Sequence, residues 1–120
     1  MSKTLAEWEE HYRQKCEEPT PPDGYHLHFD PNKGFFYWKI RTDVIPEERL
    51  LVIDHTATND QRHFHGMWRR MAKEYQCDAI ATMTKRNPKP FVKMFDCCLD
   101  LKRSGYGANG NWYWAMIEYV

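Results

Sequence analysis

The chain has 120 residues, and its 17 Lys and Arg balance its 17 Asp and Glu, so the formal net charge is zero. This length predicts one domain over residues 1–120. A composition that is 42% hydrophobic and 28% charged excludes a disordered or fibrous chain. The longest uncharged run, residues 104–117, is interrupted by Gly and Asn and falls short of the ~20 apolar residues of a membrane span. The first ten residues contain no apolar run, so we expect neither a signal peptide nor a membrane protein.

The N-terminal half predicts one helix and three strands. The helix is defined by apolar side chains that recur every three or four residues: Leu5, Trp8, Tyr12 and Cys16. Ser2 or Thr4 can act as its N-cap. Alternating apolar and polar residues predict a first strand, and a turn that ends at Gly34 joins it to a second strand in a hairpin. A four-residue apolar run predicts a central strand. The predicted spans are residues 3–17 for the helix and 25–29, 35–42 and 49–55 for the strands.

The C-terminal half predicts two helices and three strands. The first helix has a predicted buried stripe made of Phe64, Met67, Trp68, Met71 and Tyr75. It connects two strands as a crossover does, so those strands should be parallel. The predicted spans are 60–76 and 87–98 for the helices, and 77–84, 99–102 and 112–119 for the strands. The element order therefore predicts an α/β fold, with a mixed, mostly antiparallel sheet of about six strands, a central parallel pair and three flanking helices.

Positive charge is concentrated in the middle of the chain, where residues 61–103 carry ten basic and four acidic side chains. Seven of these basic residues form a basic block: Arg62, Arg69, Arg70, Lys85, Arg86, Lys89 and Lys93. Such a block can bind an anionic partner, or it can be the solvated face of a helix. Both interpretations stay open at this point.

The order of elements resembles that of the GNAT acyltransferase superfamily. Residues 50–55 resemble its central strand, beside which the pantetheine arm of acetyl-CoA lies, and residues 60–76 resemble its pyrophosphate-binding helix. Very short GNAT-like proteins of this kind are familiar in tailed phages, and one group resembles small internal virion proteins. The resemblance implies a GNAT-like fold, and it would place the chain in the host cytoplasm or packaged in a virion.

The resemblance also implies candidate cofactor-binding residues. Residues 61–66 are the nearest match to the superfamily's phosphate motif, with Gln61 and Gly66 at its first and last positions. Phe64 stands where that motif has its first glycine. Arg62 and Arg86 could contact the phosphates. Asn87 matches the start of the superfamily's second helix motif. Further along that motif, Met94 replaces a tyrosine whose hydroxyl can donate a proton to the departing thiolate, a role that Cys97 or Tyr106 could take instead.

Asp54 and His55 are the last residues of the predicted central strand. The carboxyl ends of such strands form the edge at which α/β sheets usually bind ligands. These two residues are the candidate general base, since a histidine has a suitable pKa range. The alternative is a surface histidine beside an aspartate that caps a turn. We expect no metal site, because no third ligand accompanies His26 and His28.

Two functions remain. One is a phage or phage-derived protein that acts by binding a phage or host protein, with acetyl-CoA chemistry reduced or lost. The other is a small acetyl-CoA-dependent N-acyltransferase acting on an amine, the only case in which acetyl-CoA would be a cofactor. Nucleic acid is the least favoured partner. The distinguishing observation is whether the gap between the third and fourth strands is open or filled by Phe64, Trp68 and Met94.

Overall fold

The computed structural model describes residues 2–95 and 97–120. Its elements in chain order are α1 Leu5–Lys15, β1 His26–Asp30, β2 Gly34–Arg41, β3 Leu50–Thr58, α2 Gln61–Glu74, β4 Ala79–Thr84, α3 Lys89–Phe95, β5 Cys98–Tyr106 and β6 Trp112–Tyr119. The six strands form one sheet in the order β1-β2-β3-β4-β6-β5. Strands β3 and β4 are parallel and every other neighbouring pair is antiparallel. The predicted fold class is confirmed.

The two long helices pack on opposite faces of the sheet because neighbouring residues of a strand point in opposite directions. On one face, Trp8 and Tyr12 of α1 pack against Phe35 and its neighbours. On the other face, Trp68 of α2 packs against a cluster that includes Phe36. The sheet is therefore covered from both sides around β3, which the apolar run of that strand predicted.

Helix α1 begins with a capping box. The Thr4 hydroxyl accepts a hydrogen bond from the Glu7 amide, and the Glu7 carboxylate accepts one from the Thr4 amide. Two backbone donors that a helix start leaves unpaired are thereby satisfied. The indole N–H of Trp8 donates to the Pro31 carbonyl at 3.1 Å, which fixes the helix to the β1–β2 turn.

Most element boundaries differ from the predicted ones by one or two residues, and three element ends and one buried position differ by more. Strand β3 ends at Thr58, three residues beyond its predicted end, and β5 ends at Tyr106 instead of residue 102. Helix α3 ends at Phe95 instead of residue 98, and position 96 of its predicted span lies outside the described residues. Tyr75, predicted in the buried stripe, is 41% exposed, and Ala72 is buried in the stripe instead. The reason is that α2 ends at Glu74, so Tyr75 leaves the helical periodicity and its ring lies 5.5 Å from that of Trp38.

No helix in the described ranges is both long enough and apolar enough to cross a membrane.

Gly34 opens β2 in a conformation that other residues rarely adopt, with φ of +128°. A Cβ atom at this position would lie 1.9 Å from the Ala57 carbonyl oxygen on β3. We expect Gly34→Ala to cost about 1–3 kcal/mol of folding free energy from backbone strain alone, with the clash adding to it. Gly105→Ala is the matched control, because nothing lies within 4 Å of its Cβ. Thermal unfolding of the two variants tests this, and equal melting temperatures would contradict the expected asymmetry.

Candidate functional site

A gap opens in the sheet where β3 and β4 separate. They are paired only from Leu50 opposite Ala79 to Ile53 opposite Thr82. Beyond that point β3 stays with β2, and β4 stays with β6. The backbone of β3 that follows Ile53 therefore faces the gap on the side where β4 would otherwise bind it.

The gap leads into a cavity of about 710 Å³ that is lined from both faces of the sheet. Phe64 is fully buried against Phe36, with ring centroids 5.0 Å apart, and does not line the cavity. Met94 is 47% exposed and does not line it either. Trp68 forms part of the wall. The gap is thus open, and the side chains that could have filled it pack elsewhere or only border it.

A β-bulge directs the end of β3 into the gap. Phe35 and Tyr37 of β2 pair with Ala57 and Asp54 of β3, so one residue on β2 opposes two on β3. One of those two, His55, has a φ of +40°, which is uncommon for a residue other than glycine. Bulges re-aim side chains next to functional sites. Six consecutive β3 residues line the cavity: Ile53, Asp54, His55, Thr56, Ala57 and Thr58.

His55 is held by hydrogen bonds at both ring nitrogens. Its Nε2 lies 3.0 Å from the Thr20 carbonyl oxygen and therefore donates the proton. Its Nδ1 lies 2.7 Å from the Tyr12 hydroxyl, from which it accepts. Burial raises the pKa of the Tyr12 hydroxyl, which keeps that donor protonated. With both nitrogens engaged, His55 orients its surroundings and has no lone pair free to act as a base.

Asp54 is the candidate base with the more suitable electrostatics. Its side chain is 34% exposed, and Oδ1 lies 3.6 Å from His55 Nε2. Burial raises the pKa of the Asp54 carboxyl, and the neighbouring His55 opposes that shift. A carboxylate whose pKa is raised toward neutrality is a stronger proton acceptor than an ordinary aspartate.

Glu17 is a residue of this site that the sequence did not indicate. Its carboxylate is only 11% exposed and accepts hydrogen bonds from the Tyr113 hydroxyl and, at 3.3 Å, from the Asn109 amide. Lys85 Nζ lies 3.9 Å from the same carboxylate. The segment after α1 is thereby tied to the β5–β6 turn at one end of the cavity. Tyr113, Asn109 and Lys85 are all more than sixty residues away from Glu17 in the chain, so no local pattern could have revealed these contacts.

Helix α2 presents a second group of cavity residues, of which His65 was not indicated by the sequence. Gln61, His65 and Trp68 all line the cavity, at the i, i+4 and i+7 positions that share one helix face. His65 Nε2 lies 2.7 Å from Oε2 of Glu118, whose side chain is 8% exposed and also accepts from Arg69. The Trp68 indole nitrogen is buried and has no hydrogen-bond partner among the described residues.

The residues predicted to bind the cofactor are divided between the cavity and the surface. Gln61 and Arg86 line the cavity, whereas Arg62, Gly66 and Asn87 do not. A Cβ on Gly66 would find only the Arg70 side chain, at 3.7 Å, so the position has no close neighbour that requires glycine. The Asn87 side chain accepts from the Lys89 amide at the start of α3.

The N-terminus of α2 does not fit a pyrophosphate group. Only residues 59 and 60 connect β3 to α2, which leaves no loop to surround a phosphate. The Asp60 carboxylate already accepts the His63 amide at 3.1 Å and pairs with Lys33 at 3.1 Å. A negative charge therefore occupies the helix end that would attract an anion.

Comparisons with known proteins find a likeness among solved structures. No family model matches the chain, and neither does any curated protein. A solved structure described as the NatC complex bound to Gag peptide and CoA superposes with a TM-score of 0.55 at 12% identity, covering 100% of this chain and 82% of that one. NatC is a GNAT-fold N-acetyltransferase. This chain has a GNAT-like fold. At this identity the likeness concerns the fold alone, which the resemblance in the sequence had indicated.

Proposed function

We propose that this GNAT-like chain transfers an acyl group from a pantetheine thioester to an amine. The observation that carries the proposal is the open gap between β3 and β4, which continues into a cavity reached from both faces of the sheet. A gap of this kind lets a donor enter from one face and an acceptor from the other. Holding two reactants in line is the main requirement of such a transfer.

The residues around the gap fit the pantetheine part of a donor. The β3 backbone after Ile53 has no β4 partner, so it can hydrogen-bond an extended chain that carries amides, as a sheet edge does. The phosphate end finds no matching cradle, since Asp60 caps α2. When bound, the thioester supplies an activated acyl carbon. Asp54 accepts the proton that the attacking amine loses, while Tyr12 and His55 hold that end of β3 in place.

The relative affinity for two donors tests this assignment. We expect S-acetylpantetheine and acetyl-CoA to bind with dissociation constants within about tenfold of each other at 0.15 M salt, because the nucleotide gains no specific contact. Both should be weak, roughly in the high-micromolar to millimolar range. Isothermal titration measures both dissociation constants. Repeating the titration at low salt reveals any electrostatic attraction between the phosphates of acetyl-CoA and the side chains of Arg86 and Lys85. A low-micromolar dissociation constant for acetyl-CoA alone would contradict the conclusion that the N-terminus of α2 does not bind the pyrophosphate.

A second candidate is a binding function, as a virion component or a protein directed at a host partner. The observation that favours it is a group of exposed apolar side chains on β5 and β6: Leu99, Leu101, Tyr106, Trp112 and Tyr119. Exposed apolar and aromatic groups are typical of interfaces. Recovery of the chain in purified virions would support this function, and its absence from them would count against a structural role there.

A further inference from the structure

The α2 wall of the cavity contains a histidine whose surroundings suit proton donation. His65 is 13% exposed, lines the cavity and directs Nε2 at the carboxylate of Glu118. Its ring stacks on Phe95 of α3, with centroids 4.1 Å apart. The ring is therefore fixed by β6 on one side and α3 on the other. No hydrogen bond from a described residue reaches Nδ1, in contrast to His55, whose two nitrogens are both engaged.

Glu118 determines which nitrogen of His65 can react. A carboxylate accepts only, so Nε2 must carry a hydrogen, and a second proton on the ring can sit only on Nδ1. Arg69 pairs with the Glu118 carboxylate from the helix side, and its Nε donates to Oε1 at 2.9 Å. This arrangement, a buried carboxylate behind an imidazole with its other nitrogen available, is the usual way of orienting a catalytic histidine.

We propose that His65 is the proton donor to the leaving sulfur, and that Glu118 is its positioning residue. The inference rests on the proposed function. In the transfer, a C–N bond forms, the acyl C–S bond breaks, the amine proton passes to Asp54 and the Nδ1 proton of His65 passes to the thiolate. Asp54 then releases its proton to water and His65 regains one, so the sum is amine and thioester giving amide and thiol. Met94, which has no proton to give, is exposed outside the cavity.

The dependence on leaving group separates this role from a structural one. With S-acetylpantetheine, whose alkyl thiolate needs a proton, we expect His65→Gln to lower kcat by about 100-fold or more and to leave KM nearly unchanged. With phenyl thioacetate, whose aryl thiolate leaves without help, the same variant should lose less than about tenfold. Glu118→Gln should show the same pattern more weakly. His63→Gln is the matched control, because His63 lies on the same helix and does not line the cavity.

A second measurement does not depend on turnover. Pantetheine carries the free thiol of the product, and its addition should shift the side-chain nitrogen resonances of His65 but not those of His26 on β1. Two results would overturn the assignment of His65 and leave the proposed function standing. One is an equal loss of kcat in His65→Gln with both thioesters. The other is a set of resonance shifts elsewhere in the cavity, on addition of pantetheine, without a shift at His65. A wild-type protein that transfers no acyl group from either donor would instead overturn the proposed function, and the role of His65 with it.

Discussion

Trp68→Ala should lower the free energy of unfolding by about 3–5 kcal/mol, because it leaves a cavity in the largest cluster of buried side chains. In a domain of this size, that loss corresponds to a fall in melting temperature of roughly 10 °C or more. Arg70→Ala, two residues further along the same helix and exposed, should change it by less than about 0.5 kcal/mol. Calorimetry or circular dichroism compares the variants. Equal effects would mean that α2 packs through a different face.

Trp68→Phe adds a second comparison at the same position. The indole N–H of Trp68 has no partner among the described residues, so its removal costs no hydrogen bond and relieves a buried donor. We expect this variant to be far closer to wild type than the alanine variant. A loss as large as that of Trp68→Ala would show that the indole N–H is paired in solution.

Asp54→Asn should abolish most of the acyl transfer while stabilising the fold. Loss of a general base lowers kcat by about 10²–10⁴-fold. In the proposed reaction the carboxylate of Asp54 accepts the proton, so the rate of the wild type should rise with pH through the raised pKa of Asp54. Burial raises that pKa above its unfolded value, so the folded state binds the proton more tightly and the charged carboxylate opposes folding at neutral pH. The asparagine variant should therefore melt at a higher temperature.

The control for Asp54→Asn is Asp23→Asn, an exposed carboxylate in the connector between α1 and β1. It should keep both the rate and the melting temperature of the wild type. Initial rates with S-acetylpantetheine and a small amine, measured from pH 5 to pH 9, provide the comparison. An Asp54→Asn protein with an unchanged rate would remove Asp54 from the reaction.

Periodicity in the sequence predicted the sheet and its crossover because those patterns are local. The apolar stripe of α2 and the alternation along β1 each depend on residues a few positions apart. The parallel pairing of β3 and β4 followed from the handedness and length of one connection. What the sequence did not indicate was the bulge at His55, since a two-against-one pairing depends on the partner strand and not on the bulged residues alone.

The candidate site was only partly predictable for the same reason. Asp54 and His55, which line the cavity, were candidates because the end of a central strand is a general location for ligands. His65 carried no signal of its own in the sequence, and its partner, Glu118, is 53 residues away. Its environment could not be inferred without knowing that β6 lies beside β4. Glu17 was equally hidden, because it looked like one of several acidic residues on a solvated helix.

The position of β6 in the sheet also has a consequence for synthesis. It is the last of the six strands to leave the ribosome, yet it lies between β4 and β5 and supplies Glu118 to the cavity wall. Until residues 112–119 emerge, β4 has one unpaired edge and β5 has no neighbour in the sheet. Unpaired edges of this kind recruit other chains. We therefore expect a nascent chain halted before β6 to be protease-sensitive and prone to aggregate, with native structure appearing only after the last strand has been translated.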